Sequence, residues 1–191
     1  MASKNRGKVE EIRNFLSRTD VEVRSLADYA GVPDVEEDGA TYLENALKKA
    51  KTYSALTGEA VLADDSGLEV DCLNGEPGIY SSRYAGAGAT DEENYRKLLS
   101  RLEGVSPERR GAVFRCVLVL YHPHGRFEIF EGTWRGMIHT EAVGDRGFGY
   151  DPVFYLPDLG LTAAQLAPEK KNVLSHRAKA LDLFKKWLQG H

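Results

Sequence analysis

The stretch from Thr41 to Cys72 constrains the fold more than any other. Thr41 and Glu44 have the spacing of a capping box, and Leu43, Ala46, Leu47, Ala50 and Tyr53 recur at helical period, so "DGATYLENALKKAKTYSAL" is expected to form a capped amphipathic helix. An apolar strand, "AVLA" (60–63), follows at once and is expected to end at "DDSG". A second strand, "GLEVDCL", then places Leu68, Val70 and Cys72 on one face. A helix with one apolar stripe, delivered onto a strand that needs cover, commits this region to helices packed on a sheet.

The remaining pattern extends that plan. Val9, Ile12, Phe15 and Leu16 predict a short helix from Lys8 to Ser17, and Val21 and Val23 alternate as in a strand. Thr90, followed by Asp91, Glu92 and Glu93, caps a helix with Tyr95, Leu98, Leu99 and Leu102 on one face. "AVFRCVLVLY" and "RFEIFEG" read as strands joined across "HPHG", and a third strand over "TWRGMIH" completes an antiparallel meander. Ser175 is expected to cap a last helix with Ala178, Leu181, Phe184, Trp187 and Leu188 inward, while "GEPGIYSSRYAGAGA" reads as a loop. The fold class is therefore α/β or mixed α+β with flanking helices, in one domain over 1–191.

Composition narrows the function. With 191 residues, 42% hydrophobic and 28% charged, the chain reads as an ordinary globular protein with a real core. A formal net charge of -4 argues against nonspecific binding to nucleic acid, which needs a basic surface. Cys72 and Cys116 form neither a CxxC pair nor a disulfide framework, and with no apolar leader at the start a reducing, cytoplasmic setting is expected. The longest apolar run, "CVLVLY", is far short of the roughly 20 residues that span a bilayer, so no membrane partner is expected.

Asp64 and Asp65 stand at the end of the apolar strand, where α/β folds commonly place ligands. Adjacent side chains of an extended chain face opposite ways, so a division of labour is expected: one carboxylate toward a metal, the other orienting a water or a neighbouring base. The alternative is that Asp-Asp-Ser-Gly is only a turn. Glu36, Glu37 and Asp38 suit the positive end of the Thr41 helix. Folded against Asp64 and Asp65, they would instead form an oxygen-rich site for Mg2+.

"SKNRGK" supplies the opposite sign. Ser3, Lys4, Asn5, Arg6, Gly7 and Lys8 precede a helix whose free N–H groups suit phosphate oxygens, although the pattern is not GxxxxGK[ST] and a frayed terminus would look similar. In "GDRGFGYDPVF", Phe148, Gly149, Tyr150 and Asp151 could stack a planar base and bond its edge, or form a Gly-rich turn with aromatics turned inward. Lys171, His176 and Arg177 crowd the entry to the last helix, where cations oppose the helix dipole and so need a reason. His122, His124, His139 and His191 have no metal-ligand spacing, and no Ser-His-Asp or Cys-His arrangement is suggested.

Five of these stretches together resemble the Ham1-like inosine/xanthosine triphosphate pyrophosphatases, which remove deaminated purine nucleotides. They are "ASKNRGK" (2–8), "EEDGATYLENALKKAK" (36–51), "LADDSGLEVDCLNGEPGIYSSRYAG" (62–86), "GFGYDPVF" (147–154) and "EKKNVLSHRAKAL" (169–181), in the family's order over nearly the whole chain. The resemblance implies an elongated fold with a mixed sheet, two lobes around a nucleotide cleft, and a homodimer. It implies Mg2+-dependent hydrolysis of ITP, dITP and XTP to monophosphate and pyrophosphate. By motif, Asp65 matches the catalytic proton acceptor and metal ligand with Asp64 beside it, and Glu37 and Glu36 match carboxylates near the metal. Ser3 to Lys8 match the triphosphate loop, with Lys8 catalytic, and Ser66 a further substrate contact. Phe148 to Asp151 match the base-binding segment, which Lys171, His176 and Arg177 complete. Rival readings are a Maf-like pyrophosphatase for modified pyrimidines and a noncatalytic nucleotide- or RNA-binding protein. The family's loop normally follows a short apolar strand, whereas only Met1 and Ala2 precede Ser3: either the chain's start lies several residues downstream of the natural one, or the loop docks without the usual strand and is anchored more weakly.

Overall fold

The computed structural model describes residues 1–2, 6–17, 21–29 and 31–190, Arg6 by its backbone alone. Its larger elements are α1 (Arg6–Leu16), α2 (Tyr42–Thr57), β1 (Val61–Val70), α3 (Asp91–Arg101), β2 (Gly111–Tyr121), β3 (Phe127–Ile138), β4 (Phe154–Leu156), β5 (Leu161–Thr162), α4 (Pro168–Leu174) and α5 (His176–Gly190). The strands form one five-stranded sheet in the order β1-β2-β3-β4-β5, with β3–β4 and β4–β5 antiparallel. Helices and sheet combine as the α/β reading anticipates.

Local caps start the helices where the sequence places them. Thr41 accepts the Glu44 N–H before α2, and Thr90 with Glu93 completes a reciprocal capping box before α3. Gly58, at φ 71°, ends α2 in the left-handed conformation that glycine adopts without a Cβ penalty.

Three strand expectations are corrected. "DDSG" is not a turn: β1 runs unbroken through it from Val61 to Val70. Turn preference is local, and here both carboxylates are buried and held by cations from other elements, so the strand continues through them. "RFEIFEG" and "TWRGMI" are likewise one strand, β3, across Gly132. That glycine marks close packing: a Cβ there would lie 2.1 Å from the His176 carbonyl oxygen and 2.7 Å from the Ala180 nitrogen on α5. Val21 and Val23 lie outside any strand, and Val21 is exposed. The sequence reading also passed over α4, β4 and β5.

By contacts the chain divides into two compact units. The first comprises Met1–Asp65, Cys116–Gly132 and His176–His191. Its core joins Ile12 and Leu16 of α1 to Leu62, Cys116, Leu118 and Phe130 of the strands and to Leu181 and Phe184 of α5. All residues from Cys116 to Leu120 are buried, as in a strand covered on both faces. Ala2 donates its N–H to the Leu62 carbonyl at 2.8 Å, so the residue before the basic loop is laddered onto β1. The second unit, Ser66–Arg115 and Thr133–Ser175, packs Leu68, Leu98, Leu102, Phe114, Trp134 and Phe154 into its own core. Burying a side chain of this size contributes about 1.5–3 kcal/mol, so each unit has ample apolar driving force.

Candidate active site

In the first unit, strand alternation sends the two adjacent aspartates to different partners. Asp64 is 1% exposed and meets α1 and α5: Lys8 Nζ lies 3.0 Å and Arg177 Nη2 3.3 Å from its Oδ2. Burial, the largest single influence, pushes its carboxyl up, but the charges of Lys8, Arg177 and Lys49 outweigh it and hold the group below the ordinary carboxylate range. Arg177 also donates to Glu11 Oε2 at 2.5 Å and is 2% exposed. A cation at the start of α5 therefore has its reason, two carboxylates facing it from β1 and α1.

Asp65 meets α2 instead. Its Oδ2 accepts from Asn45 Nδ2 at 3.2 Å, and its Oδ1 lies 3.7 Å from Lys49 Nζ. The Lys49 ammonium also donates to Glu37 Oε1 at 2.5 Å and to the Asp64 carbonyl at 2.6 Å, so it ties the acidic loop to both aspartates. Burial is the largest influence on Asp65 and the Glu37 charge adds to it; Lys49, Lys8 and Asn45 oppose them, and the carboxyl is pushed up to about 6. The two adjacent carboxylates thus face different partners, Asp64 with its carboxyl held low by Lys8 and Arg177 and Asp65 with its carboxyl pushed up by burial.

Other expected residues fall as follows. Gly7 lies in the first turn of α1 beside the Arg6 backbone, whereas Ser3, Lys4 and Asn5 are outside the described residues. Glu37 reaches Lys49 but Glu36 is exposed, and Asp38 pairs with Lys48. His176 is buried at the start of α5. Among the described residues no group of three or more His, Cys, Asp or Glu side chains is placed to hold a metal. Two carboxylates, Asp65 and Glu37, converge on the Lys49 ammonium.

In the second unit, Ser66 continues β1 half-buried, and the segment Phe148 to Asp151 is tied down by several hydrogen bonds. Asp151 Oδ2 accepts the Phe148 N–H at 2.9 Å and Lys171 Nζ at 2.5 Å, while that ammonium lies 4.7 Å from the Phe148 ring centroid. Gly147, at φ 76°, approaches Asp151 so closely that a Cβ would lie 2.0 Å from Oδ2. Tyr150 is buried and donates to the Ser81 carbonyl at 2.7 Å. Gly149 donates its N–H to Asp91 Oδ2 at 2.6 Å. The turn with inward aromatics thus holds for Tyr150, while Phe148 is half-buried.

Sequence reasoning missed Asn45, Lys49, Glu11 and Asp91. A signal for the first two was present. The face α2 buries carries Tyr42, Asn45, Ala46, Lys49, Ala50 and Tyr53, while Leu43 and Leu47 are only half-buried. Asn45 and Lys49 are polar residues four apart on an apolar stripe, and such residues are buried only when something pairs them.

A profile of the Ham1 family matches residues 1–187. A dITP/XTP pyrophosphatase of Desulforamulus reducens is 50% identical over 181 residues, covering 95% of this chain and 90% of the relative. One from Thioalkalivibrio sulfidiphilus is 48% identical over 192 residues, covering 100% and 97%. The structure of a HAM1 protein from Coxiella burnetii aligns with a TM-score of 0.90 at 41% identity over 99% of this chain and 96% of that one. The Staphylococcus aureus Ham1 protein aligns at 0.88 with 43% identity over the same shares. Profile, sequence and fold agree over nearly the full length: the chain belongs to the Ham1 family.

Proposed function

We propose that this protein hydrolyses deaminated purine nucleoside triphosphates (ITP, dITP and XTP) between the α and β phosphates, releasing the monophosphate and pyrophosphate. The naming of its relatives as dITP/XTP pyrophosphatases supports the substrate class. The observation that carries the chemistry is the buried pair Asp64 and Asp65, adjacent in β1 and pushed to opposite ends of the carboxylate range.

Asp65 is the general base. With its carboxyl near 6 it is ionised at neutral pH yet basic enough to take a proton from water, and assistance of this kind is typically worth about 10²–10⁴-fold. The water's oxygen bonds to the α phosphorus, its proton passes to Asp65, and the bond to the bridging oxygen breaks as pyrophosphate leaves in line. Lys8, held by Asp64 at 3.0 Å, places a fixed positive charge at the first turns of α1, where free N–H groups already favour phosphate. The basic loop ahead of α1 gives further cations to the triphosphate. By the motif resemblance, Phe148 and Asp151 with Lys171 and Ser66 are assigned to the purine and its sugar, with Tyr150 bracing that segment through the Ser81 carbonyl, and Arg177, next to His176, pairs with Asp64.

The residues present fit Mg2+. Asp65 and Glu37 offer hard oxygen ligands, and the Glu37 charge helps raise Asp65, so a cation added to the pair relieves repulsion that Lys49 only partly offsets. Asp65 and Glu37 would hold the ion, with Glu36 adjoining. When bound, Mg2+ neutralises charge on the phosphates and lowers the pKa of its water. The same reading makes the protein a cytoplasmic homodimer; no helix among the described residues is long and apolar enough to cross a membrane.

The test is a panel of nucleoside triphosphates with Mg2+, scored for pyrophosphate against orthophosphate. ITP, dITP and XTP are expected to yield pyrophosphate well above ATP. Preference for a pyrimidine, or release of orthophosphate, contradicts the reading.

A further inference from the structure

The side chain of Asn45 stands between two parts of this site, and its two ends are not interchangeable. It is 1% exposed and lies in the first turn of α2. Its Oδ1 accepts the main-chain N–H of Gly39 at 2.8 Å, and its Nδ2 donates to Asp65 Oδ2 at 3.2 Å. A backbone N–H can only donate, so the amide oxygen must face Gly39 and the amino group must face Asp65. Asp65 Oδ2 is thereby committed as an acceptor. The other oxygen, Oδ1, lies on the Lys49 side and takes no part in that bond.

Gly39 supplies a second observation. A Cβ at that position would lie 2.8 Å from Asn45 Oδ1 and 2.8 Å from Glu44 Cβ, so the loop approaches α2 this closely only with glycine there. The same loop carries Glu37 and is fastened beside Gly39 by the Ala40 N–H on Glu44 Oε2 at 2.7 Å. One buried side chain therefore touches both the base and the loop that bears its carboxylate neighbour.

We propose that Asn45 is a positioning residue for the hydrolysis: it fixes the rotation of the Asp65 carboxylate and sets it in register with the Glu36–Gly39 loop, with Gly39 as its required partner. The proposal rests on Asp65 acting as the base. Misplacing a reacting group by about an ångström costs roughly 10²-fold, and losing a residue that orients a site group typically costs about 10–100-fold.

The test uses two variants of the full chain. Asn45→Asp keeps the oxygen that serves Gly39 but replaces the donor to Asp65 with a second carboxyl oxygen facing it, so it both removes the bond and adds repulsion; kcat for ITP should fall at least about 10–100-fold with KM within about threefold of wild type. Gly39→Ala keeps the donor and displaces the loop. It should also lower kcat more than it raises KM, and it should speed amide hydrogen exchange at residues 36–40, a readout independent of turnover. If Asn45→Asp fails to fold, Gly39→Ala carries the test alone. Wild-type kcat in either folded variant, or a loss of kcat that only follows the folded fraction by circular dichroism, overturns the proposal. A wild-type protein that releases no pyrophosphate from ITP overturns the proposed function instead, so the two failures are distinct.

Discussion

Asp65 ionises near neutral pH because burial penalises its charge and Glu37 adds to that penalty, with Lys49 and Lys8 offsetting only part of it. As the base it must be ionised, so kcat/KM should fall toward acid pH, with the limb below the metal-free value of about 6 once the Mg2+ charge is added. Lys49→Met removes the nearest ammonium and should move that acid limb to higher pH by about a unit or more, read from pH–rate profiles. The same shift has a stability consequence. A folded value near 6 exceeds the unfolded carboxylate value of about 3.9, so the native state binds more protons between those limits and this group's contribution declines as pH rises through about 6. In metal-free protein, Asp65→Asn should therefore raise stability at pH 8 by on the order of 1–3 kcal/mol while abolishing pyrophosphate release. Thermal melts with a chelator at pH 5 and pH 8 check the sign: the gain should appear at pH 8 and shrink at pH 5. Asp64 behaves oppositely, since its lowered value supports the fold until pH drops below the ordinary carboxylate range.

The elements matter through where they deliver these side chains. Arg177 reaches Asp64 because α5 lies against β3, and that approach needs Gly132. Gly132→Ala forces a Cβ into the His176 carbonyl and should destabilise the protein by about 1–3 kcal/mol, measured by denaturant unfolding, with a further loss of kcat/KM as the start of α5 shifts. Gly132 also shows why strand ends were hard to read. In the sequence it looks like a break between two strands; in the fold it is the place where a helix backbone needs room. "DDSG" misleads in the same way, since four turn-forming residues stay extended when Lys8, Arg177, Lys49 and Asn45 pair with their carboxylates from elsewhere. Caps at Thr41 and Thr90 and the stripes of α1 and α3 were legible because they depend on neighbours within a turn. Asn45 and Lys49 were in plain view on a buried stripe, but only the partners brought by β1 and the 36–39 loop give them meaning.

At the scale of the molecule, the sheet order and the two units depend on pairings between residues far apart in the chain, which local pattern does not encode. Each unit builds its own core and holds its own set of functional candidates: carboxylates and cations at Asp64 and Asp65 in the first, the aromatic and acidic segment around Tyr150 in the second. The resemblance drawn from five motifs foresaw the family correctly because motifs in order survive such ignorance of topology. The reaction itself is tested most directly by hydrolysing ITP in 18O-labelled water with Mg2+ and weighing the products. Attack at the α phosphorus, with Asp65 accepting the proton, puts the label in IMP and leaves pyrophosphate unlabelled, and Asp65→Asn should yield neither product. Label in pyrophosphate or orthophosphate, or undiminished labelling of IMP by Asp65→Asn, would contradict it.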